Sequence, residues 1–68
     1  MKAKNAIIGA KVMIKKSSRY YTGTYNNPRD SIGTIDSINV HGILPVSVTW
    51  SCGGRNTYKY EDLKLVKE

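Results

Sequence analysis

Residues 45–66 read PVSVTWSCGGRNTYKYEDLKLV. From Pro45 to Trp50 the chain alternates, sending Val46, Val48 and Trp50 to one side, which is the period of a half-buried strand. Ser51-Cys52-Gly53-Gly54 then reads as a tight turn, because paired glycines reach positive φ without steric cost. Arg55 to Tyr60 resumes a strand pattern. Glu61-Asp62-Leu63 predicts one short helical turn, started and capped by its two acids, and Lys64-Leu65-Val66 a closing strand.

Working outward, Lys11-Val12-Met13-Ile14-Lys15 alternates with Val12 and Ile14 inward, and Gly9 before it permits a turn. Ser31 to Val40 (SIGTIDSINV) is rich in β-formers. Its apolar residues change face between Ile35 and Ile38, which predicts a bulge or strong bend. Gly33 suits a tightly coiled strand that leaves no space for a side chain. His41-Gly42 is a turn signal. No amphipathic helix and no repeat emerges. Five short strands, a long loop after the first, two tight turns and a short helical turn before the last strand give an all-β fold with the order of a small five-stranded SH3-like barrel. Closing such a sheet removes edges that would otherwise aggregate. The expected core is Val12, Ile14, Ile32, Ile35, Ile38, Val46, Val48, Trp50, Leu63 and Leu65. The expected organisation is an N-terminal basic tail over residues 1–8 and the barrel domain over residues 9–68.

Composition narrows the function classes. Sixty-eight residues hold one thinly stabilised core. A single cysteine, Cys52, excludes an internal disulfide, and no Cys/His set is present for a structural zinc. A lone thiol suits a reducing cytosol. No apolar run is long enough for a signal peptide or a membrane span. A cytoplasmic protein without membrane contact is therefore expected, a small basic form common in phage and bacteria. The net charge of +6 is uneven: Lys2, Lys4, Lys11, Lys15, Lys16, Arg19 and Arg29 precede the first acid, Asp30. Such asymmetry points to an anionic partner, nucleic acid first.

The stretches GAKVMIKK, SIGTIDSI and PVSVTWSCGGRNTYKYEDLKLV together resemble the MIB/HERC2 domain pattern. That pattern has a glycine before an apolar strand, a Gly-Thr-aliphatic strand and an aliphatic-x-aliphatic-x-Trp strand. A glycine turn into Arg-Asn-x-Tyr and a closing Asp-Leu-x-Leu complete it. The match runs from about Gly9 to Val66. The resemblance implies an SH3-like fold and a role in binding peptide segments of other proteins. This chain departs from the family in its first loop, where members have a tryptophan and an acidic, glycine-rich stretch, and in a shorter segment between Tyr58 and Asp62. The architecture also hosts KOW- and Tudor-like modules and the plasmid-type dihydrofolate reductase. The Val-Gln-Ile-Tyr stretch of that enzyme is met here only by Asn56-Thr57-Tyr58-Lys59, so no enzyme is expected.

The departing loop, RYYTGTYNNPRD over residues 19–30, has no aliphatic residue and is long for so small a domain. Long loops on small scaffolds are functional or disordered, and tyrosines argue against disorder. Arg19, Tyr20, Tyr21, Tyr25 and Arg29 combine cations with π-faces, the means by which single-stranded nucleic acid is held. Lys11, Lys15 and Lys16 extend that patch along the first strand. Tyr58 and Tyr60 share a strand face; they line a groove in the same reading, or else serve as core and rim packing, the commoner role of such aromatics in SH3-like barrels. The same tyrosines also suit a protein partner with an acidic segment. His41 and Cys52 stand on separate turns with no third orienting group, so neither is assigned a catalytic role. Asp36, Glu61 and Asp62 are too scattered for an acid/base pair or a metal cluster. No cofactor, metal or small-molecule substrate is expected.

Overall fold

The structure, a computed structural model, describes residues 1–66. Lys67 and Glu68, the end of the expected 9–68 domain, lie outside the described residues. The strands are β1 (Lys11–Ile14), β2 (Gly33–Ile38), β3 (Val46–Trp50), β4 (Arg55–Tyr58) and β5 (Leu63–Leu65). They form one antiparallel sheet in the order β4-β3-β2-β1-β5, so the expected all-β, SH3-like architecture is the one observed. The closing strand returns to pair with the first, Val12 opposite Leu65 and Ile14 opposite Leu63.

The register explains the burial. Val12, Ile14, Ile35, Val46, Val48, Trp50 and Leu63 point inward at alternate positions and form the core. β2 slips register against β3 between Ile35 and Ser37. This bulge puts Ile35 and Ile38, three residues apart, on the same side of the sheet. Gly33 is required: a Cβ there would stand 2.6 Å from Trp50 Cε3, so the indole lies against bare β2 backbone.

Three core expectations need correction. Ile32 is 42% and Leu65 39% exposed, and Ile38 is only half-buried against the core. Ile32 precedes β2, where its carbonyl accepts a hydrogen bond from Ser51 N. Leu65 ends β5, which among the described residues pairs with β1 alone. Tyr58, absent from the expected core, is fully buried. The fourth strand also stops at Tyr58 rather than Tyr60, and the helical turn is a 3-10 turn over Tyr60–Asp62. Among the described residues no side chain caps that turn. The Asp62 carboxylate instead accepts from Ser18 Oγ at 2.9 Å, and its carbonyl from Lys15 N at 2.9 Å, tying the turn to the start of the first loop. A further 3-10 turn, Ala3–Asn5, lies in the N-terminal stretch, where Met1 and Ala6 pack against the core.

Candidate nucleic-acid interface

The first loop is ordered from the inside. Tyr58 hangs from β4 into the barrel, edge-on to both Trp50 (centroids 5.8 Å apart) and Tyr20 (5.6 Å). Its hydroxyl accepts a hydrogen bond from Trp50 Nε1 at 3.0 Å. Its own proton is shared between the Asn26 carbonyl and Asn27 Oδ1, each 2.7 Å away. Asn56 Nδ2 donates to the same Asn27 oxygen at 3.0 Å. Burial pushes the Tyr58 phenol up to about 12, so it stays a donor at neutral pH. One β4 side chain thus pins the loop tip to the core tryptophan.

The tip then folds over the turn between β3 and β4. Tyr25 lies on Gly53 and Gly54, and its carbonyl accepts from Cys52 Sγ at 3.5 Å. A Cβ on Gly54 would run into that carbonyl. Pro28, within the loop, is buried. Gly23, at φ 82°, turns the chain while the Arg29 side chain crosses it: a Cβ there would stand 2.7 Å from Arg29 Nε.

On this frame the Arg19 guanidinium sits 5.1 Å from the Tyr20 ring centroid and donates to Tyr20 Oη at 3.1 Å. Arg29 lies 6.0 Å from the Tyr21 ring. Tyr21 donates to Asp30 Oδ1 at 2.8 Å, and that bond raises its phenol above the ordinary value. Asp30 itself is held at φ 57°. Both arginines are exposed, Tyr20 and Tyr21 are half-buried, and Tyr25 is 65% exposed. Among the described residues the ion pair is Arg55–Asp36, at 3.1 Å. Thr49 Oγ1 also donates to Asp36, and this bond leads the interactions that lower its carboxyl pKa. Arg19, Arg29, Lys11, Lys15 and Lys16 have no carboxylate partner within that set.

The remaining candidates separate. Tyr58 is not surface: its burial makes it a core and strap residue, which overturns its place among groove-lining tyrosines. Tyr60 lies on the 3-10 turn, half-buried, facing a groove on another part of the barrel. That groove, of about 420 Å³, is lined by Met1, Val40, Ile43, Pro45 and Tyr60 among others. Val40 is 71% and Ile43 87% exposed. Sequence periodicity does not reveal this groove, because Val40 and Ile43 lie in the irregular connection between β2 and β3. Lys11 projects from the outward sheet face and donates to Thr34 Oγ1 at 2.7 Å. Cys52 is free and exposed. His41 sits in the turn where its backbone N donates to Asn39 Oδ1 at 3.2 Å. Among the described residues no cluster of three or more His, Cys, Asp or Glu forms that would hold a metal ion. None of their helices is long and apolar enough to cross a membrane.

Fold and loop define a small five-stranded SH3-like β-barrel whose first loop is strapped to its core. The NMR structure of the Bacillus subtilis protein YorP resembles it with a TM-score of 0.73 at 19% identity. The match covers 94% of this chain and 73% of that one, and at this identity it shows the fold alone. No protein-family model and no curated protein sequence matches the chain.

Proposed function

We propose that this barrel is a non-enzymatic binding module that holds single-stranded nucleic acid on its first loop. The supporting observation is the pair of exposed guanidiniums laid on tyrosine rings, Arg19 on Tyr20 and Arg29 on Tyr21, with no carboxylate partner among the described residues. Holding a guanidinium near a ring limits its freedom before binding, so less entropy is lost when it meets a phosphate. Tyr25 at the loop tip offers a largely exposed ring, and base–aromatic stacking is worth about 1–3 kcal/mol per base. Lys15 and Lys16, at the foot of the loop, add attraction without geometry.

A second reading rests on a different surface. The groove between Val40, Ile43 and Tyr60 suits an apolar side chain of an extended peptide, and the resemblance to MIB/HERC2 domains implies peptide binding. In that role the module grips a partner protein with an acidic segment, which meets the excess positive charge. Backbone amide shifts separate the two. Adding a single-stranded oligonucleotide is expected to move amides of residues 19–27 and 29 while leaving those of residues 40–44 in place. No movement with oligonucleotide, together with movement at residues 40–44 on adding an acidic, apolar peptide, would replace the first reading by the second.

A further inference from the structure

Away from the first loop, the connection between β2 and β3 displays apolar side chains that the core does not use. Val40 is 71% and Ile43 87% exposed, and both line the groove of about 420 Å³ that Pro45 and Tyr60 also border. The backbone presenting them is fixed. Asn39 N donates to the Pro45 carbonyl at 2.8 Å, Gly42 N to the Asn39 carbonyl at 2.9 Å, and His41 N to Asn39 Oδ1 at 3.2 Å. Ile43 therefore stands out from the rim of an apolar hollow as a held knob. Two charges of opposite sign complete the rim, Lys59 and Glu61 on either side of Tyr60. Both are exposed, and among the described residues neither is in an ion pair. The Met1 ammonium, also at this groove, is engaged by the Tyr60 and Leu63 carbonyls at 3.1 and 2.7 Å.

An apolar hollow with an apolar knob beside it, and one cation and one anion at its rim, is a surface that complements itself. Such a patch closes about a two-fold axis, where each side supplies what the other lacks. We propose that this groove docks a second copy of the chain: Ile43 of each copy enters the groove of the other, and Lys59 of each meets Glu61 of its mate. Charge favours this occupant over the peptide of the second reading. The side chains lining the groove sum to zero, one lysine against one glutamate, in a chain of +6. The patch thus sets no excess of like charge against a second copy, whereas an acidic segment finds its lysine already balanced by a carboxylate. The fixed turn that carries Ile43 keeps the ordering cost of association low. With only a handful of side chains in contact, the dimer belongs to the weak, reversible end of the interface range. None of residues 19–30 lines the groove, so docking there does not use the first loop and is independent of the nucleic-acid reading.

The test is sedimentation velocity of the full chain over a concentration series from low micromolar to millimolar, after nuclease treatment so that no nucleic acid bridges two copies. The apparent mass is expected to rise from 7.6 kDa toward twice that value. Ile43→Asp, at a position outside the core, is expected to melt like the parent and to keep the monomer mass throughout. Lys59→Glu alone and Glu61→Lys alone are each expected to stay monomeric, because every contact across the two-fold axis then sets like charges together. An equal mixture of those two variants restores opposite charges at both contacts, and it is expected to dimerise where the parent does. An apparent mass that stays at 7.6 kDa for the parent would overturn the dimer. A dimer that persists in Ile43→Asp would overturn it too, since it would use another surface. A mixture that stays monomeric while the parent dimerises would overturn the pairing of Lys59 with Glu61. A parent that remains monomeric while an acidic, apolar peptide shifts amides of residues 40–44 would hand the groove to the peptide instead.

Discussion

Tyr58 shows how one residue's environment decides its role. Its position in Arg55-Asn56-Thr57-Tyr58 is compatible with a groove-lining ring, and its alternation within β4 with a core ring. The register settles the choice by setting Tyr58 opposite Val46 on the inward face. Removing only its hydroxyl in Tyr58→Phe leaves Trp50 Nε1 and Asn27 without that partner. Such an orphaned buried donor costs about 1–3 kcal/mol, to be read as a lower urea midpoint with unchanged slope. The phenol also makes stability depend on alkaline pH. Its folded pKa, about 12, lies above the ordinary phenol value of 10.0, so the folded state keeps a proton that the unfolded state has lost. This contribution is whole below pH 10 and disappears as pH rises through about 12. Urea midpoints measured over that window should fall more steeply for the parent than for Tyr58→Phe. Equal slopes would show that the hydroxyl is not buried as described.

At the scale of elements, strands were legible and connections were not. Alternation in Val12–Ile14 and Val46–Trp50, and the change of face between Ile35 and Ile38, report directly on a two-residue period that each strand carries by itself. The loop's course is written in no such period. Its tip is held by Tyr58, Asn56 and Gly54, more than twenty-five residues distant, and no local pattern specifies a contact of that separation. The composition of residues 19–30 marks a candidate site, but not which tyrosines pack and which stay exposed. Ile32 and Leu65 fail for a related reason: apolar character names a core candidate, whereas exposure depends on whether a neighbouring strand covers it. The β3–β4 turn supplies a test. In Gly54→Ala the new methyl meets the Tyr25 carbonyl, a backbone atom with little room to move. The variant should lose about 1–3 kcal/mol, with faster hydrogen exchange at Gly23 and Asn27, whose amides bond within the loop. Gly33→Ala should cost at least as much, because its methyl meets Val48 and Trp50 inside the core. There the loss should spread to exchange across β2 and β3.

For the whole molecule, size and charge act together. The Cα radius of gyration is 10.4 Å, close to the roughly 11 Å of a compact chain of this length, so the loop adds little to the molecule's reach. In the proposed function, binding by a strapped loop would therefore require little reordering, and an anionic partner would meet cations already in position. The charge of +6 would draw such a partner in, but general attraction and a defined site differ in what a loop mutation removes. The most direct measurement is a fluorescence-anisotropy titration of a labelled single-stranded oligonucleotide at two salt concentrations, for the parent and for Arg19→Ala/Arg29→Ala. If Arg19, Arg29 and one lysine meet phosphate, the parent's log–log salt slope is about −2, and removing two contacts brings it to about −0.7. The parent should bind at low salt with that slope, and the double variant should bind weakly with the shallower one while melting like the parent. A double variant with the parent's affinity and slope, or a parent that does not bind at low salt, would contradict the assignment of the loop as the nucleic-acid site.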